Sequence, residues 1–190
     1  MWCYDYLCLT PFIYQAIQIV SWLAKYKYNS LKKHKLVIPI LQVMCPLLAE
    51  SSDQEDDDDL APDRASAEVI DTLAMNLPKH VFLPVLEFAS VHCQSTNLKF
   101  REASVTALGV ISEGCFDLMK EKLDTVLNIV LGALRDPELV VRGAASFAIG
   151  QFAEHLQPEI LSHYQSVLPC LLIAIEDTSE EVKVKFKETN

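Results

Sequence analysis

The sequence predicts an all-α fold, a solenoid of antiparallel helix pairs, because the chain repeats itself. Five positions recur at one constant offset: Arg101, Ala103, Ala107, Gly109 and Glu113 are matched by Arg142, Ala144, Ala148, Gly150 and Glu154. The preceding helix repeats at the same offset, since Val126, Leu127, Val130 and Leu131 match Val167, Leu168, Leu171 and Leu172. Only 5 glycines in 190 residues also disfavour a hairpin-rich β fold.

The period, counted from Arg101 to Arg142, falls within the roughly 40–47 residues typical of stacked helix pairs of the HEAT or armadillo kind. One pair leaves its apolar faces uncovered, and neighbouring pairs cover them to give a continuous core. We therefore expect about four to five pairs in residues 15–190, an internal piece of a longer solenoid whose open ends expose core faces. Residues 1–14 fit no repeat and are expected to form an unassigned head outside it.

The helical spacing of apolar residues predicts the elements in order. Their expected ranges are 15–26, 31–50, 62–77, 79–93, 97–114, 118–135, 137–155, 158–176 and a last helix from Ser179. Asn29 and Ser30 are expected to separate the first two helices. Pro62 suits a first helical turn, where its missing N–H is not needed.

Prolines and glycines inside these ranges predict local geometry. Pro39, Pro84 and Pro169 fall in the middle of predicted first helices, where proline removes a hydrogen bond and bends the helix. Gly109 and Gly150 fall inside second helices, where glycine is less favourable than alanine by about 0.5–1 kcal/mol. Their recurrence predicts a close crossing between neighbouring second helices.

Composition limits the class of protein. No run of 18 or more apolar residues without charge occurs, so no membrane span is expected. The net charge of -10 and pI of about 4.9 disfavour nucleic acid and favour a basic partner. Six scattered cysteines without a CxxC motif indicate a reducing compartment, the cytosol or nucleus.

The sequence gives no sign of catalysis. Its 5 histidines show no HExxH spacing, and no GxGxxG, P-loop or GxSxG motif occurs. No arrangement places a nucleophile beside a base. We therefore expect a protein that is not an enzyme and needs no metal or cofactor.

Lysines cluster around one predicted turn, at positions Lys25, Lys27, Lys32, Lys33 and Lys35. The cluster fits a localisation signal or a patch for an acidic partner. It also fits a solvated helix junction, because cations are favoured near the carboxyl end of a helix.

Arginine and aspartate recur with the repeat. Arg101 and Arg142 come early in second helices, and Asp136 and Asp177 lie in the turns that follow first helices. These residues would either contact a partner or form a structural ladder of Arg–Asp hydrogen bonds between neighbouring repeats. We favour the ladder because the residues repeat with the architecture.

An acidic run interrupts the chain in the predicted loop 51–60. Its six acids are Asp53, Glu55, Asp56, Asp57, Asp58 and Asp59. Such a run repels itself and is expected to be unstructured. It is either a solvated linker or a docking element for a basic surface.

The order of these features resembles a known family. The acidic run precedes Leu60-Ala61-Pro62, then Lys79 to Pro84, Phe100 to Ala103, Glu113-Gly114 and Asp136 to Arg142. This order is similar to the central HEAT repeats of importin-β family nuclear transport receptors, over about residues 15–184. The acidic loop inside one helix pair is the more specific part of the resemblance.

The resemblance implies a receptor that carries cargo through nuclear pores and releases it to a Ran-type GTPase. It implies that the second helices face these partners and that the acidic loop contacts the GTPase or a basic cargo. Nuclear pore proteins would be further partners, with localisation in the cytoplasm, the nucleus and the nuclear envelope. Leu60 stands where importin-β has a tryptophan, so the aromatic contact of that loop is not expected here. A general HEAT scaffold subunit, for example of a phosphatase or chromatin assembly, is the alternative.

Overall fold

The computed structural model describes residues 6–50 and 61–176, and within these ranges it contains helices and no strands. The helices are α1 (Tyr6–Tyr26), α2 (Tyr28–Lys33), α3 (Val37–Leu47), α4 (Pro62–Asn76), α5 (Pro78–His92), α6 (Leu98–Val110), α7 (Phe116–Lys120), α8 (Leu123–Ala133), α9 (Leu139–His155) and α10 (Tyr164–Glu176), with a 3₁₀ helix at Glu159–His163 before α10. The predicted all-α fold is confirmed. The helix expected from Ser179 lies outside the described residues.

The helices stack in two layers. The second helices of the pairs follow one another in one layer, where α1 contacts α4, α4 contacts α6 and α6 contacts α9. The first helices form the other layer, where α3 contacts α5 and α5 contacts α8. A single apolar core runs between the layers, with fully buried side chains such as Leu73, Leu108 and Phe152 from successive second helices. This arrangement is the predicted α-solenoid.

Local sequence explains the starts of three helices, α4, α5 and α6. Pro62 and Pro78 open α4 and α5, and a proline at the first position loses no helical hydrogen bond. Asn97 caps α6, because its side-chain oxygen accepts a hydrogen bond from the backbone N–H of Lys99 at 3.0 Å. Pro84 and Pro169 lie inside α5 and α10, as the sequence predicted.

The amino-terminal helix boundaries were predicted wrongly. Helix α1 begins at Tyr6 rather than at residue 15, and Ile13 and Tyr14 pack against the core. It ends at Tyr26, so Asn29 and Ser30 lie inside α2 and do not separate helices. The division between a head at 1–14 and the repeats stays a prediction, and residues 1–5 lie outside the described ranges.

The predicted helix 31–50 is two helices. A turn at His34 to Leu36 divides it, and Lys35 adopts φ 57°. As a result Pro39 lies in the first turn of α3, not in its middle, and Pro46 is the proline inside that helix. The predicted helices 118–135 and 158–176 are likewise divided, at Glu121–Lys122 and at the 3₁₀ helix.

The predicted close crossing is present at Gly109. A β-carbon at this position would lie 2.8 Å from the Phe147 ring and 3.1 Å from the Ala148 α-carbon. With a β-carbon at this position, the Phe147 ring or the α9 backbone would have to shift, so glycine favours the close approach of α6 to α9. This close contact sets the relative position of α6 and α9, the two second helices that contain Arg101 and Arg142.

Candidate functional site

Arg101 and Asp136 join two neighbouring repeats. Arg101 Nε donates to Asp136 Oδ2 at 2.8 Å, and Nη2 donates to Oδ1 at 3.0 Å, so the pair is bidentate. The side chains are only 15% and 11% exposed. This is the geometry in which arginine and carboxylate bind most strongly. The full ladder stays a prediction, because Asp177, the expected partner of Arg142, lies outside the described residues.

The charges of this pair stabilise each other. Burial raises the pKa of the Asp136 carboxyl, but hydrogen bonds from Arg101 and from the Glu138 N–H outweigh burial and hold that pKa below its usual value. The hydrogen bond to Asp136 also raises the pKa of Arg101. Both groups are therefore charged at neutral pH.

The turns before the arginines share a hydrogen-bond pattern that was not predicted from the sequence. Ser95 Oγ accepts from the Asn97 N–H at 3.2 Å, and one repeat later Asp136 Oδ1 accepts from the Glu138 N–H at 2.9 Å. The Ser95 carbonyl accepts from Arg101 Nη1 at 2.9 Å, and the Asp136 carbonyl accepts from Arg142 Nη1 at 3.1 Å. Ser95 thus stands where the next repeat has Asp136, and counting back one full period from Asp136 identifies it.

A second charged cluster lies on the layer of second helices. Asp71 of α4 is half-buried, and burial raises the pKa of its carboxyl. The negative charges of Glu113 and Glu68 raise this pKa further, while His155 lowers it. Glu68 also accepts a hydrogen bond from Ser21 Oγ of α1 at 3.3 Å. We call Glu68, Asp71 and Glu113 the acidic row.

The acidic row was not predicted from the sequence, although one signal for it was present. Glu113 recurs as Glu154, which is exposed near the end of α9. Asp71 precedes Glu113 by one position more than the regular period, so an irregular repeat hid the relation. Like charges within mutual influence store repulsion that a cationic partner relieves.

The predicted acidic loop, with Asp53, Glu55 and Asp56–Asp59, lies outside the described residues. Its described flanks are exposed Glu50 after α3 and Pro62 at the start of α4. The loop therefore connects the two helices of one pair. Its role in binding stays a prediction.

An apolar groove opens between two first helices. It lies between α3 and α5 and has a volume of about 350 Å³. Leu41, Pro46, Pro84 and Phe88 are among its lining residues, and Glu87 lies at the same groove. Such a concave apolar surface accepts aromatic or aliphatic side chains.

Other chemistry is limited in the described part of the chain. Within it, no group of three or more histidine, cysteine or acidic side chains is arranged to hold a metal ion. Burial raises the pKa of the Cys45 and Cys115 thiols to about 12, which keeps them protonated and unreactive. No helix among the described residues is long and apolar enough to cross a membrane.

Known proteins share this architecture. The family model of the HEAT-like repeat matches residues 99–152. The chain is 35% identical to importin-4 of Mus musculus in an alignment of 180 positions, which covers 85% of the chain and 17% of that protein. It is 34% identical to importin-4 of Homo sapiens, over 80% of the chain and 16% of that protein. The chain thus spans about a sixth of the length of these relatives.

Solved structures of karyopherins superpose on this chain. Kap121p bound to Pho4p superposes with a TM-score of 0.82 at 18% identity, over 93% of this chain and 19% of that one. Kap95p, whose binding induces the switch loops of RanGDP to adopt the GTP-bound conformation, superposes with a TM-score of 0.73 at 25% identity, over 93% of this chain and 21% of that one.

Proposed function

This chain belongs to the importin-β family of karyopherins, and we propose that it forms part of the surface on which a nuclear import receptor binds a basic protein cargo and a Ran-type GTPase. The relatives support the proposal through what they bind. Kap121p has been solved with Pho4p, and Kap95p acts on the switch loops of RanGDP. The proposed role is binding rather than catalysis, in a protein that passes between cytoplasm and nucleus.

The acidic row is the observation that best supports binding of a basic cargo. Its carboxylates come from two different repeats, and the charge of His155 lowers the pKa of Asp71. A lysine- or arginine-rich segment lying along the second helices would neutralise this row. The gain would be largest at Asp71, because burial already disfavours its charged form without a partner.

The acidic loop is proposed as a second contact for a basic surface. In the sequence the loop directly precedes α4, the helix that contains Glu68 and Asp71. Because an exposed ion pair contributes only about 0.2–1 kcal/mol, the six acids of the loop have to act together. Their main effect is expected on the association rate with the GTPase or cargo.

The groove between α3 and α5 is proposed to bind nuclear pore proteins. It lies in the layer of first helices, whereas the acidic row lies in the layer of second helices. A receptor can then hold cargo on one layer while apolar side chains of the pore enter the other. The separation suits a carrier that binds both partners at once.

A charge-matched comparison tests the cargo surface. We expect Glu68→Gln with Glu113→Gln to weaken binding of a fluorescent lysine-rich peptide by about tenfold at low salt. The control, Glu87→Gln with Glu121→Gln, removes two exposed acids from α5 and from the end of α7 and is expected to change binding little. Equal losses in both double variants would show attraction to net charge alone and would contradict the proposed site.

A further inference from the structure

The junction between α4 and α6 differs from the next junction, between α6 and α9, at one pair of positions. In the α6–α9 junction Arg101 binds Asp136, and we call this ion pair a rung. Buried serines identify the matching positions. Ser104 Oγ donates to the Arg101 carbonyl at 2.7 Å. One repeat earlier, Ser66 Oγ donates to the Asp63 carbonyl at 2.8 Å. Both serines follow a buried alanine, so Asp63 stands where the next repeat has Arg101.

Both members of the rung are replaced in the α4–α6 junction. Ser95 stands where the next repeat has Asp136, because both accept a hydrogen bond from the backbone N–H two residues later. Asp63 stands where the next repeat has Arg101. One carboxylate and one hydroxyl therefore take the place of two opposite charges. The junction lacks the guanidinium that completes the regular rung.

Asp63 has a hydrogen-bond acceptor without a donor. Its Oδ1 atom is buried, and it is the single buried side-chain oxygen or nitrogen of the described residues that has no hydrogen-bond partner. The neighbouring Arg64 is exposed and forms no ion pair with Asp63. An unpaired buried acceptor is unfavourable and uncommon in folded proteins. The Asp63 carboxylate therefore needs a donor that the described part of the chain does not supply.

We propose that the α4–α6 junction binds an arginine side chain of the basic cargo, with Asp63 as the carboxylate that receives it; this inference rests on the proposed binding of a basic cargo. The incoming guanidinium takes the place that Arg101 has one repeat later. Asp63 is half-buried, so its side chain is partly accessible from solvent. Rotation about the last torsion of this side chain exchanges the two carboxylate oxygens, so a planar fork of donors can reach both.

The neighbouring rung favours arginine over lysine as the ligand. There the Arg101 guanidinium donates through Nε and Nη2 to one carboxylate and through Nη1 to the Ser95 carbonyl. The single ammonium group of lysine cannot form this fork. The site is also separate from the acidic row, because Asp63 lies about 12 Å from Asp71 along the axis of α4.

Titration of the whole chain with N-acetylarginine amide, followed by nitrogen–proton correlation NMR, tests the site directly. We expect the backbone amide signals of Asp63 and Ser95 to move, and N-acetyllysine amide to need about a threefold higher concentration for the same change. Asp63→Asn should abolish these changes. The control, Asp124→Asn, removes the same charge from the first turn of α8 and should leave them intact.

Two results of this titration would overturn the proposal. Equal responses to the two amides would contradict the assignment to arginine. Signals that move only near Glu68 and Glu113 would place the cation on the acidic row and not in the junction.

A double variant tests whether the two junctions are equivalent. Asp63→Arg combined with Ser95→Asp should rebuild the rung within the chain, because these are the residue types at the matching positions of the next repeat. We expect its thermal midpoint to exceed those of both single variants, and the arginine amide to leave the junction signals unchanged. A double variant that is no more stable than the single variants would show that the two positions do not meet, and the proposal would be wrong.

The amide titration and the test of the acidic row can fail independently. If the lysine-rich peptide binds wild type and Glu68→Gln with Glu113→Gln equally, the proposed cargo surface is wrong, and the amide titration still decides the junction. If the peptide depends on the acidic row while the arginine amide leaves the Asp63 signal unchanged, the junction site is wrong and the cargo surface stands.

Discussion

Two contacts between neighbouring second helices differ in what holds them together. Between α6 and α9 the contact is close and specific, with Gly109 against Phe147 and the bidentate pair of Arg101 and Asp136 at one end. Between α1 and α4 the buried Ser21 donates a hydrogen bond to Glu68. Glu68 and Asp71 are both on α4, and the charge of Glu68 acts on Asp71. The first contact repeats a sequence pattern, while the second departs from it.

This difference indicates that the α6–α9 contact is constrained by packing, whereas the residues near the α1–α4 contact are constrained by binding. Where the regular repeat is kept, Arg101 and Asp136 satisfy each other across the junction. Where it is lost, the molecule exposes Trp22 and Tyr26, and burial together with the charges of Glu113 and Glu68 raises the pKa of Asp71. Natural sequences keep such local conflicts mainly where binding uses them.

The largest expected effect comes from Gly114, at the junction of the two regions. A β-carbon there would overlap the backbone of Ala74 and Met75 at the end of α4. We expect Gly114→Ala to lower the free energy of unfolding by about 1–3 kcal/mol in urea denaturation followed by circular dichroism.

Gly132 supplies the matched control for that substitution. A β-carbon at Gly132 in α8 would meet nothing within 4 Å. Gly132→Ala should therefore raise stability by about 0.5–1 kcal/mol, the usual helix preference for alanine. If both variants were stabilised, the junction at Gly114 would be looser than the structure shows.

The next effect concerns the Arg101–Asp136 pair. Arg101→Ala leaves the Asp136 carboxylate poorly exposed and without its bidentate partner, and should cost about 1–3 kcal/mol at neutral pH. Because Asp136 has a lowered pKa in the folded state, the pair stabilises above the unfolded-state pKa of about 3.9 and loses this effect as pH falls through the folded-state value. Urea denaturation at neutral and acidic pH should show the difference between wild type and variant shrinking in acid; a constant difference would assign the loss to packing.

The regular part of the fold could be predicted because residues that recur at a constant offset occupy equivalent packing positions in successive repeats. Gly109, Ala103 and Ala107 recur as small residues where helices cross, and the Arg101–Asp136 neighbour relation follows from the same offset. The helical layers and the interior prolines Pro84 and Pro169 also followed from local pattern.

The missed features have physical reasons. Lys35 takes the left-handed conformation without the glycine that normally signals it, so the break between α2 and α3 was invisible. The break at Glu121–Lys122 contains two good helix formers, and tertiary packing overrides their propensity. The acidic row depends on side chains from two repeats whose spacing departs from the regular period by one position, so only the stacked structure brings them together.

A smaller effect is expected from the acidic loop, on rates rather than on folding. Replacing Asp56–Asp59 with serine should leave the helix content and thermal midpoint unchanged. Stopped-flow measurements should show slower association with a Ran-type GTPase or a basic cargo at low salt, and little difference at high salt, where the screening length falls below about 10 Å. Unchanged rates at low salt with both partners would return the loop to the role of a solvated linker.

The smallest expected effect tests the acidic row itself, through Asp71→Asn. Burial and the neighbouring carboxylates raise the folded-state pKa of Asp71, so its charged form is less favourable in the fold than in the unfolded chain. Its contribution is therefore favourable at low pH and is lost as pH rises from the unfolded-state pKa through the folded-state value. Asparagine removes the charge, so the variant should unfold at a slightly higher temperature than wild type at neutral pH, and the two unfolding temperatures should converge in acid.

The same variant should bind a lysine-rich peptide more weakly, because the negative charge that lowers stability is also the charge that attracts a cationic partner. A variant that is less stable at neutral pH would show that Asp71 has a stabilising partner, and the acidic row would then be a structural feature like the Arg101–Asp136 pair.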